Sequence, residues 1–374
     1  MVLSPRRMLT GLLATALITT GAVACGADAT SSSGAAIAPE LQASANANLA
    51  PYTGHPSAFP VAEPLAKKLP AGTTFAFLQC STPVCAQLAA TAEQAATAVG
   101  AKLTVTRAGA SAQALQQAMS SIIAAKPAAV LIPAADPVQY RDQMAQLQAA
   151  GIPVVSQGVV DGDQFPAVKG SVLGKTAAGE AGKLLADWAA VHNGAQPSVF
   201  YTVPELSFSA FILSGYQDEM KRLCPSCAVR VVKIPVGTVG NTAPSTIVAD
   251  LRSHPETKVA VAGAEEIYEG LPAAMNVAGL NLTTTGFAPD TAVLGYIKNG
   301  QIDSGLGYDN VTSTWVQVDM AARLVTGQPL TEPERNDQLV YQVLGKTDVT
   351  DTSRPYSGYP DVADRFAKLW QGQG

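Results

Sequence analysis

From Gly72 onward the chain alternates short, wholly apolar runs with longer amphipathic ones, and few folds accept that rhythm. Residues 74–78 form a strand-length apolar run, and the Ala-rich stretch 86–99 after it stops at Gly100. Residues 102–106 predict a strand, 112–125 a helix halted by Pro127, and 129–132 a buried strand. A helix over 138–150 ends at Gly151, and 153–156 is the next strand. A strand apolar along its whole length has both faces buried, so helices must cover the sheet on two sides. Strands joined through helices run parallel. The expected fold is therefore α/β, with doubly wound parallel sheets.

The second half repeats the first. Lys126-Pro127-Ala128-Ala129-Val130-Leu131-Ile132 opens a strand after a helix, and His254-Pro255-Glu256-Thr257-Lys258-Val259-Ala260-Val261 does so again, with Val130 and Val259 offset by 129 (259 minus 130). Gly151, ahead of Ile152-Pro153-Val154-Val155, and Gly279, ahead of Leu280-Asn281-Leu282-Thr283, are offset by 128 (279 minus 151). A register kept across two helix–strand units predicts two lobes of like architecture. Doubly wound sheets bind ligands beyond the carboxyl ends of their strands. Two such lobes facing each other make a cleft that a bridging ligand closes.

The N-terminus reads as an export signal. Arg6 and Arg7 precede an apolar run over 8–23, and Ala22-Val23-Ala24-Cys25 ends it on small residues. Charge, apolar core and small-residue cleavage site are the secretory layout, and the run falls short of the ~20 residues that a span needs. Its ending on cysteine resembles the lipobox of bacterial lipoproteins. That likeness implies a signal peptide over 1–24, lipidation at Cys25 and a lipid anchor on the extracytoplasmic face of the cell membrane. The arginine pair leaves Sec and twin-arginine export both open. Residues 25–70 are rich in Ala, Ser, Thr, Asn and Pro with hardly an aromatic, so a flexible tether is expected. Outside the cytoplasm there is no ATP, NAD or chromosome, and a formal net charge of −5 leaves no basic footprint for nucleic acid. No cofactor is expected.

Phe75-Ala76-Phe77-Leu78, Ala129-Val130-Leu131-Ile132-Pro133-Ala134-Ala135-Asp136 and Ala149-Ala150-Gly151-Ile152-Pro153-Val154-Val155 resemble the sugar-type periplasmic binding proteins. These are the type I solute-binding proteins of ABC importers, typified by ribose-binding protein. The segments 294–302 and 325–329 resemble that family's late helix-to-strand step and helix ending, and the likeness runs from about residue 72 to 344. It implies two lobes joined by a multi-strand hinge with three crossings. Lobe 1 would hold 71–170 and 308–336; lobe 2 would hold 171–307 and 337–350, with a closing strand at 337–344. A tail over 351–374 would end in a helix capped by Asp361, with Val362, Phe366, Leu369 and Trp370 on one face as a docking stripe. The likeness further implies a monomer that takes a small solute and hands it to an ABC permease.

The ligand positions depart from that family's pattern. Its sugar binders stack the ring on phenylalanines in the first strand–helix loop, which here fall on Val84 and Cys85. Its lobe 2 arginine aligns near Ala210, its Asn-Asp pair with Ala264-Glu265, its Gly-Phe-Asp with Gly286-Phe287-Ala288, and its hinge glutamine with Tyr308. Gln157 stands where an Asp usually binds hydroxyls. An ionised carboxylate accepting from hydroxyls is a strong contact, and several are gone. A cleft lined by Phe208, Phe211, Phe287 and Tyr308 would suit something less polar than a hexose. Strand ends that must face the cleft add Gln79, Ser81, Thr82, Asp136, Glu205, Glu265, Asp290 and Asn310 as ligand candidates. Tyr308 stands out, because a hinge crossing sets it against the ligand from below. Asp136-Pro137 also reads as a helix cap with Pro at the first position, and Glu265 as an acid at a helix start.

Four cysteines follow Cys25. Cys80 with Cys85 and Cys224 with Cys227 are expected as two short disulfides in an oxidising compartment, though four cysteines admit three connectivities. A redox reading of Cys224-Pro225-Ser226-Cys227 needs a helix N-terminus to lower a thiol pKa; this motif trails a helix, whose dipole opposes a thiolate. His55, His192 and His254 match no zinc spacing, and no metal is expected. Gly170-Ser171-Val172-Leu173-Gly174-Lys175-Thr176 looks like a P-loop, but three residues separate its glycines where the motif needs four. It reads instead as the approach to a helix over 177–191. Three function classes compete: a solute receptor for an ABC importer, a ligand-sensing partner of a membrane sensor, and an extracellular thiol oxidoreductase or hydrolase. No nucleophile elbow or triad order speaks for an enzyme, and the receptor is the reading taken.

Overall fold

The computed structural model describes residues 37–109, 111–158, 164–194, 196–336 and 341–371. The expected signal peptide over 1–24, Cys25, the first part of the expected tether and residues 337–340 of the expected closing strand lie outside the described residues.

Residues 37–70 are not the structureless tether that their composition predicts. Helix α1 (Pro39–Leu49) starts with Pro39 at its first position, where a missing N–H is no loss and φ is preset. Ile37, Ala45 and Leu49 are buried, and Asn48 donates to Asp187 at 3.0 Å. Farther along, Val61 and Leu65 are buried, and the Leu65 N–H donates to the Leu369 carbonyl. The stretch has too few apolar residues to form a core alone. It orders because the rest of the fold offers those few residues a surface.

The first sheet is built from β1 (Thr74–Gln79), α2 (Pro83–Val99), β2 (Lys102–Arg107), α3 (Ala112–Ala125), β3 (Ala129–Pro133), α4 (Arg141–Ala149), β4 (Val154–Gln157) and β5 (Val168–Val172). Its strands are parallel in the order β2-β1-β3-β4-β5. Phe75, Phe77 and Leu131 on its central strands are fully buried, as the unbroken apolar runs require.

The second lobe follows with α5 (Lys175–Asn193), β6 (Ser198–Thr202), α6 (Ser207–Leu223), β7 (Val229–Lys233), α7 (Ala243–Ser253), β8 (Val259–Ala262), α8 (Leu271–Ala278), β9 (Thr283–Gly286), α9 (Thr291–Asn299) and β10 (Gly305–Tyr308). Its parallel strands run β7-β6-β8-β9, and β10 joins beside β9 through a parallel bridge between Phe287 and Leu306. The strand order of the first sheet recurs, with β3 matched by β8 and β4 by β9, the two units whose register repeats in the sequence. Helix α10 (Asn310–Val325) returns to lobe 1, where Gln317 Nε2 donates to the Val155 carbonyl at 2.8 Å. After α11 (Glu332–Arg335), β11 (Tyr341–Leu344) pairs antiparallel with β10. The architecture is two doubly wound α/β lobes with a hinge of several strands.

The would-be P-loop is the end of β5 and the turn into α5, with Gly174 as its N-cap. Two glycines set the approach of the next helix. A Cβ on Gly182 would lie 1.9 Å from the Ile212 carbonyl oxygen, and one on Gly215 would lie 2.0 Å from that of Gly179. Neither position tolerates a side chain, so α5 and α6 touch backbone to backbone, and that contact aims the first turn of α6 at lobe 1. In the tail, α12 (Val362–Gln371) buries Val362, Phe366 and Trp370, with Leu369 partly covered. Trp370 stacks on Trp315 at 5.5 Å, so the stripe docks on lobe 1. The cysteines pair locally, Cys80 with Cys85 and Cys224 with Cys227.

Two further passages join the lobes. The chain runs from α1, against α5, to Val61 and Leu65 in the lobe 1 core. The tail runs from β11 back to α12. Between those ends, the Ser357 hydroxyl and the Gly358 N–H donate to the buried Asp309 carboxylate at 3.2 and 2.7 Å. The same carboxylate caps α10 by accepting from the Thr312 N–H at 2.8 Å.

Candidate functional site

The carboxyl ends of the two sheets face each other across a cavity of about 60 Å³. The lobes touch at its mouth, so they stand closed. Lobe 1 contributes Val84, Cys85, Leu88, Pro133, Ala134, Gln157 and Gly158; lobe 2 contributes Phe208, Ala264, Glu265, Glu266, Phe287, Ala288 and Asp290. Leu173, Tyr308 and Asn310 enter from the crossings between the lobes.

Phe287 is the hub of the aromatic wall. Its ring stacks on Tyr308 at 5.6 Å and lies 5.8 Å from Phe208 and 6.3 Å from Tyr341. The floor is polar: Gln157 Nε2 donates to Asn310 Oδ1 at 3.2 Å and to the Tyr308 hydroxyl at 3.4 Å, and its Oε1 accepts from the Thr314 hydroxyl at 3.3 Å. Across the mouth, Ala135 bridges Leu206, and the Ser207 hydroxyl donates to the Gly158 carbonyl at 3.2 Å. Three lining residues other than glycine, Ala134, Leu173 and Ala288, have φ of +51°, +59° and +58°. Left-handed backbone costs an L-residue roughly 1–2 kcal/mol, and such strain concentrates where a ligand site demands a particular backbone.

The electrostatics are one-sided. Glu265 is fully buried, and neither of its carboxylate oxygens has a hydrogen-bond partner. Burial, reinforced by Asp290, holds its carboxyl well above the usual carboxylate range. Burial, then Asp290, then Glu269 push Glu266 up to about 7. Asp290 caps α9, accepting from the Val293 N–H at 2.9 Å.

Of the residues singled out from the sequence, Gln157, Phe208, Glu265, Asp290, Tyr308 and Asn310 converge on this cavity. Ser81, Thr82 and Glu205 line a separate, shallower depression with Gln139 and Val236. There Glu205 accepts from the Val236 N–H at 3.2 Å, a bond within its own lobe. Phe211 does not line the cavity; although it lies only about 60° round α6 from Phe208, its ring packs under the Lys175 ammonium at 5.5 Å. Asp136 caps the short turn Pro137–Tyr140 by accepting from the Val138 N–H, the capping role its sequence already allowed. Gln79 ends β1 half-buried, its carbonyl accepting from Ala108 N–H, and does not line the cavity. Sequence reasoning passed over Gly158, Ala134, Leu173 and Glu266, and met Ala288 only as the residue standing where the family has an Asp. Only Glu266 left a trace, as the second acid of a pair after a strand.

A family model described as periplasmic binding protein domain matches residues 75–329. No curated protein matches the chain in sequence. Among solved structures, it is similar to an ABC transporter solute-binding protein from Agrobacterium vitis bound with α-D-tagatopyranose, at 21% identity and TM-score 0.63, covering 79% of this chain and 98% of that one. It is also similar to a 5-methylthioribose transporter solute-binding protein from Thermotoga lettingae in complex with 5-methylthioribose, at 17% identity and TM-score 0.65, over 80% and 99% of the two chains. A carbohydrate transporter from Acidothermus cellulolyticus in complex with myo-inositol matches at 17% identity and TM-score 0.62, over 80% and 100%. At such identities the likeness carries the fold. The family match over more than half of the chain, on two lobes that close over a shared cavity, makes this chain a member of the periplasmic binding protein domain family.

Proposed function

We propose that this protein is the extracytoplasmic, lipid-anchored substrate-binding component of an ABC importer. It captures a small solute, a sugar, polyol or less polar ring compound, by closing two lobes over it, and delivers it unchanged to a permease. The carrying observation is the cavity between the carboxyl ends of two like sheets, lined from both lobes and from the hinge. A ligand touching both lobes favours the closed arrangement by its differential contacts. The similar proteins with tagatopyranose, 5-methylthioribose and myo-inositol bound support a small ring compound here. The aromatic wall of Phe208, Phe287 and Tyr308 favours the less polar end of that range. Anchoring rests on Cys25 behind its apolar run.

The test is a thermal-shift screen of residues 34–374, which form one compact unit, against sugars, polyols and small ring compounds. A true ligand raises the melting temperature in a concentration-dependent way. A screen in which no small solute does so removes the receptor reading. For the anchor, Cys25→Ala should shift the protein from the membrane fraction to the medium.

A further inference from the structure

Among the described residues, three carboxyl side chains line the cavity, Glu265, Glu266 and Asp290, and no Lys, Arg or His does. Asp290 is engaged with the first turn of α9. Glu265 has no such partner: it is 0% exposed, and both oxygens are orphaned. The fold nonetheless makes room for it. A Cβ on Gly305 would stand 2.6 Å from Glu265 Oε2, and one on Gly286 would stand 3.0 Å from its Cγ. Two glycines in adjoining strands thus leave a berth for a carboxyl group that no described residue satisfies. Buried polar atoms are nearly always paired, and an unpaired acid in a dry site is costly. A cation with N–H donors would supply both the missing charge and the missing hydrogen bonds. The stacked faces of Phe287 and Tyr308 add the attraction of aromatic rings for a cation.

We infer that the solute carries a protonated amine: a small aminated ring, such as an amino sugar or a cyclic amine, whose ammonium seats on Glu265 and whose ring lies along the aromatic wall. This rests on the cavity being the solute site and narrows its ligand class.

Asp290 acts on Glu265 from the cavity wall and the Tyr268 hydroxyl from its own turn, and Glu266 lines the same cavity. All are acidic or neutral, so they favour the protonated acid when no ligand cation is present. When an ammonium arrives, the Glu265 O–H bond breaks, its proton leaves to solvent, and the carboxylate pairs with the ligand's positive charge. Binding therefore releases a proton and tightens as pH rises, up to the pKa of the amine.

The experiment is calorimetric titration of residues 34–374 with two matched pairs, D-glucosamine against D-glucose and cyclohexylamine against cyclohexanol. Titrations at about pH 5.5 and about pH 7, in two buffers of different ionisation enthalpy, count protons. The expected result is an amine at least about tenfold tighter than its alcohol, a margin of about 1.4 kcal/mol. The amine should bind more tightly at the higher pH, with proton release, and Glu265→Gln should erase the preference. Should that variant fail to fold, the pH dependence and proton count of the unaltered protein decide the matter. An alcohol that binds as tightly as its amine overturns the inference and leaves the solute-receptor reading standing. The inference is equally overturned if neither pair binds while a neutral solute scores in the thermal screen. If nothing binds in either assay, both fall.

Discussion

Gly158→Ala separates lobe closure from folding. Gly158 lies just beyond β4 in lobe 1 with φ of +74°, and a Cβ there would meet Cδ1 of Phe208, on α6 of lobe 2, at 3.0 Å. The substitution brings two penalties. Left-handed backbone costs alanine roughly 1–2 kcal/mol with the lobes open or closed. The ring contact, several tenths of an ångström inside the ordinary ~3.5–4.0 Å spacing of carbons, arises only when the lobes close. Overpacking of this kind costs about 1–3 kcal/mol. Gly100→Ala is the control: its φ is +88°, nothing lies within 4 Å of its Cβ, and it caps α2 far from the cleft. Both variants should lower the melting temperature by a similar few degrees. Only Gly158→Ala should weaken the tightest-binding solute of the thermal screen, by about 5- to 150-fold in calorimetry. Adding Phe208→Ala should recover part of that loss as a coupling between the two sites. If Gly158→Ala binds as tightly as the unaltered protein while destabilising it like the control, the bound form does not press Phe208 onto Gly158, and this account of closure is wrong.

Arg323 is buried between Asp319 at 2.6 Å and Glu334 at 3.4 Å, so Arg323→Met should cost about 3–5 kcal/mol in urea unfolding by leaving two acids facing each other. The pH dependence follows from acids held above their ordinary range: burial and then Asp319 raise Glu334, and burial raises Glu266 to about 7. A raised acid contributes stability that is complete below its unfolded pKa and is lost as pH rises through the folded one. Unfolding monitored between about pH 4.5 and about pH 8 should therefore show stability falling with pH, and Glu266→Gln should flatten the portion between about pH 4.5 and about pH 7. Removing residues 1–52 strips Ile37, Ala45 and Leu49 from lobe 2 and should cost roughly 3 kcal/mol of stability while leaving solute affinity intact. Opening either disulfide should cost roughly 2 kcal/mol, because both close short loops. Cys85 lines the cavity, so only loss of Cys80–Cys85 should also weaken solute binding.

The sheets were legible because burial on both faces forces unbroken apolar strands, as at Phe75–Leu78 and Val259–Ala262. The family resemblance put Tyr308 at a crossing between the lobes, and it lines the cavity. Phe211 was misplaced because the sequence shows an aromatic near Phe208 but not that Lys175, at the start of α5, packs over its ring. The α1 helix was missed for a different reason. Composition measures whether a segment can stabilise itself, and α1 is stabilised by α5.

Alternating patterns, repeated register and local cysteine pairs are properties of neighbouring residues, so the sequence by itself determined the two-lobed α/β architecture. The character of the cleft was decided only in three dimensions. Left-handed Ala134, Leu173 and Ala288, the berth that Gly286 and Gly305 leave for Glu265, and the meeting of Gly158 with Phe208 each depend on residues far apart in sequence. Whether a carboxyl group finds a partner depends on what distant strands place beside it. No local pattern records that.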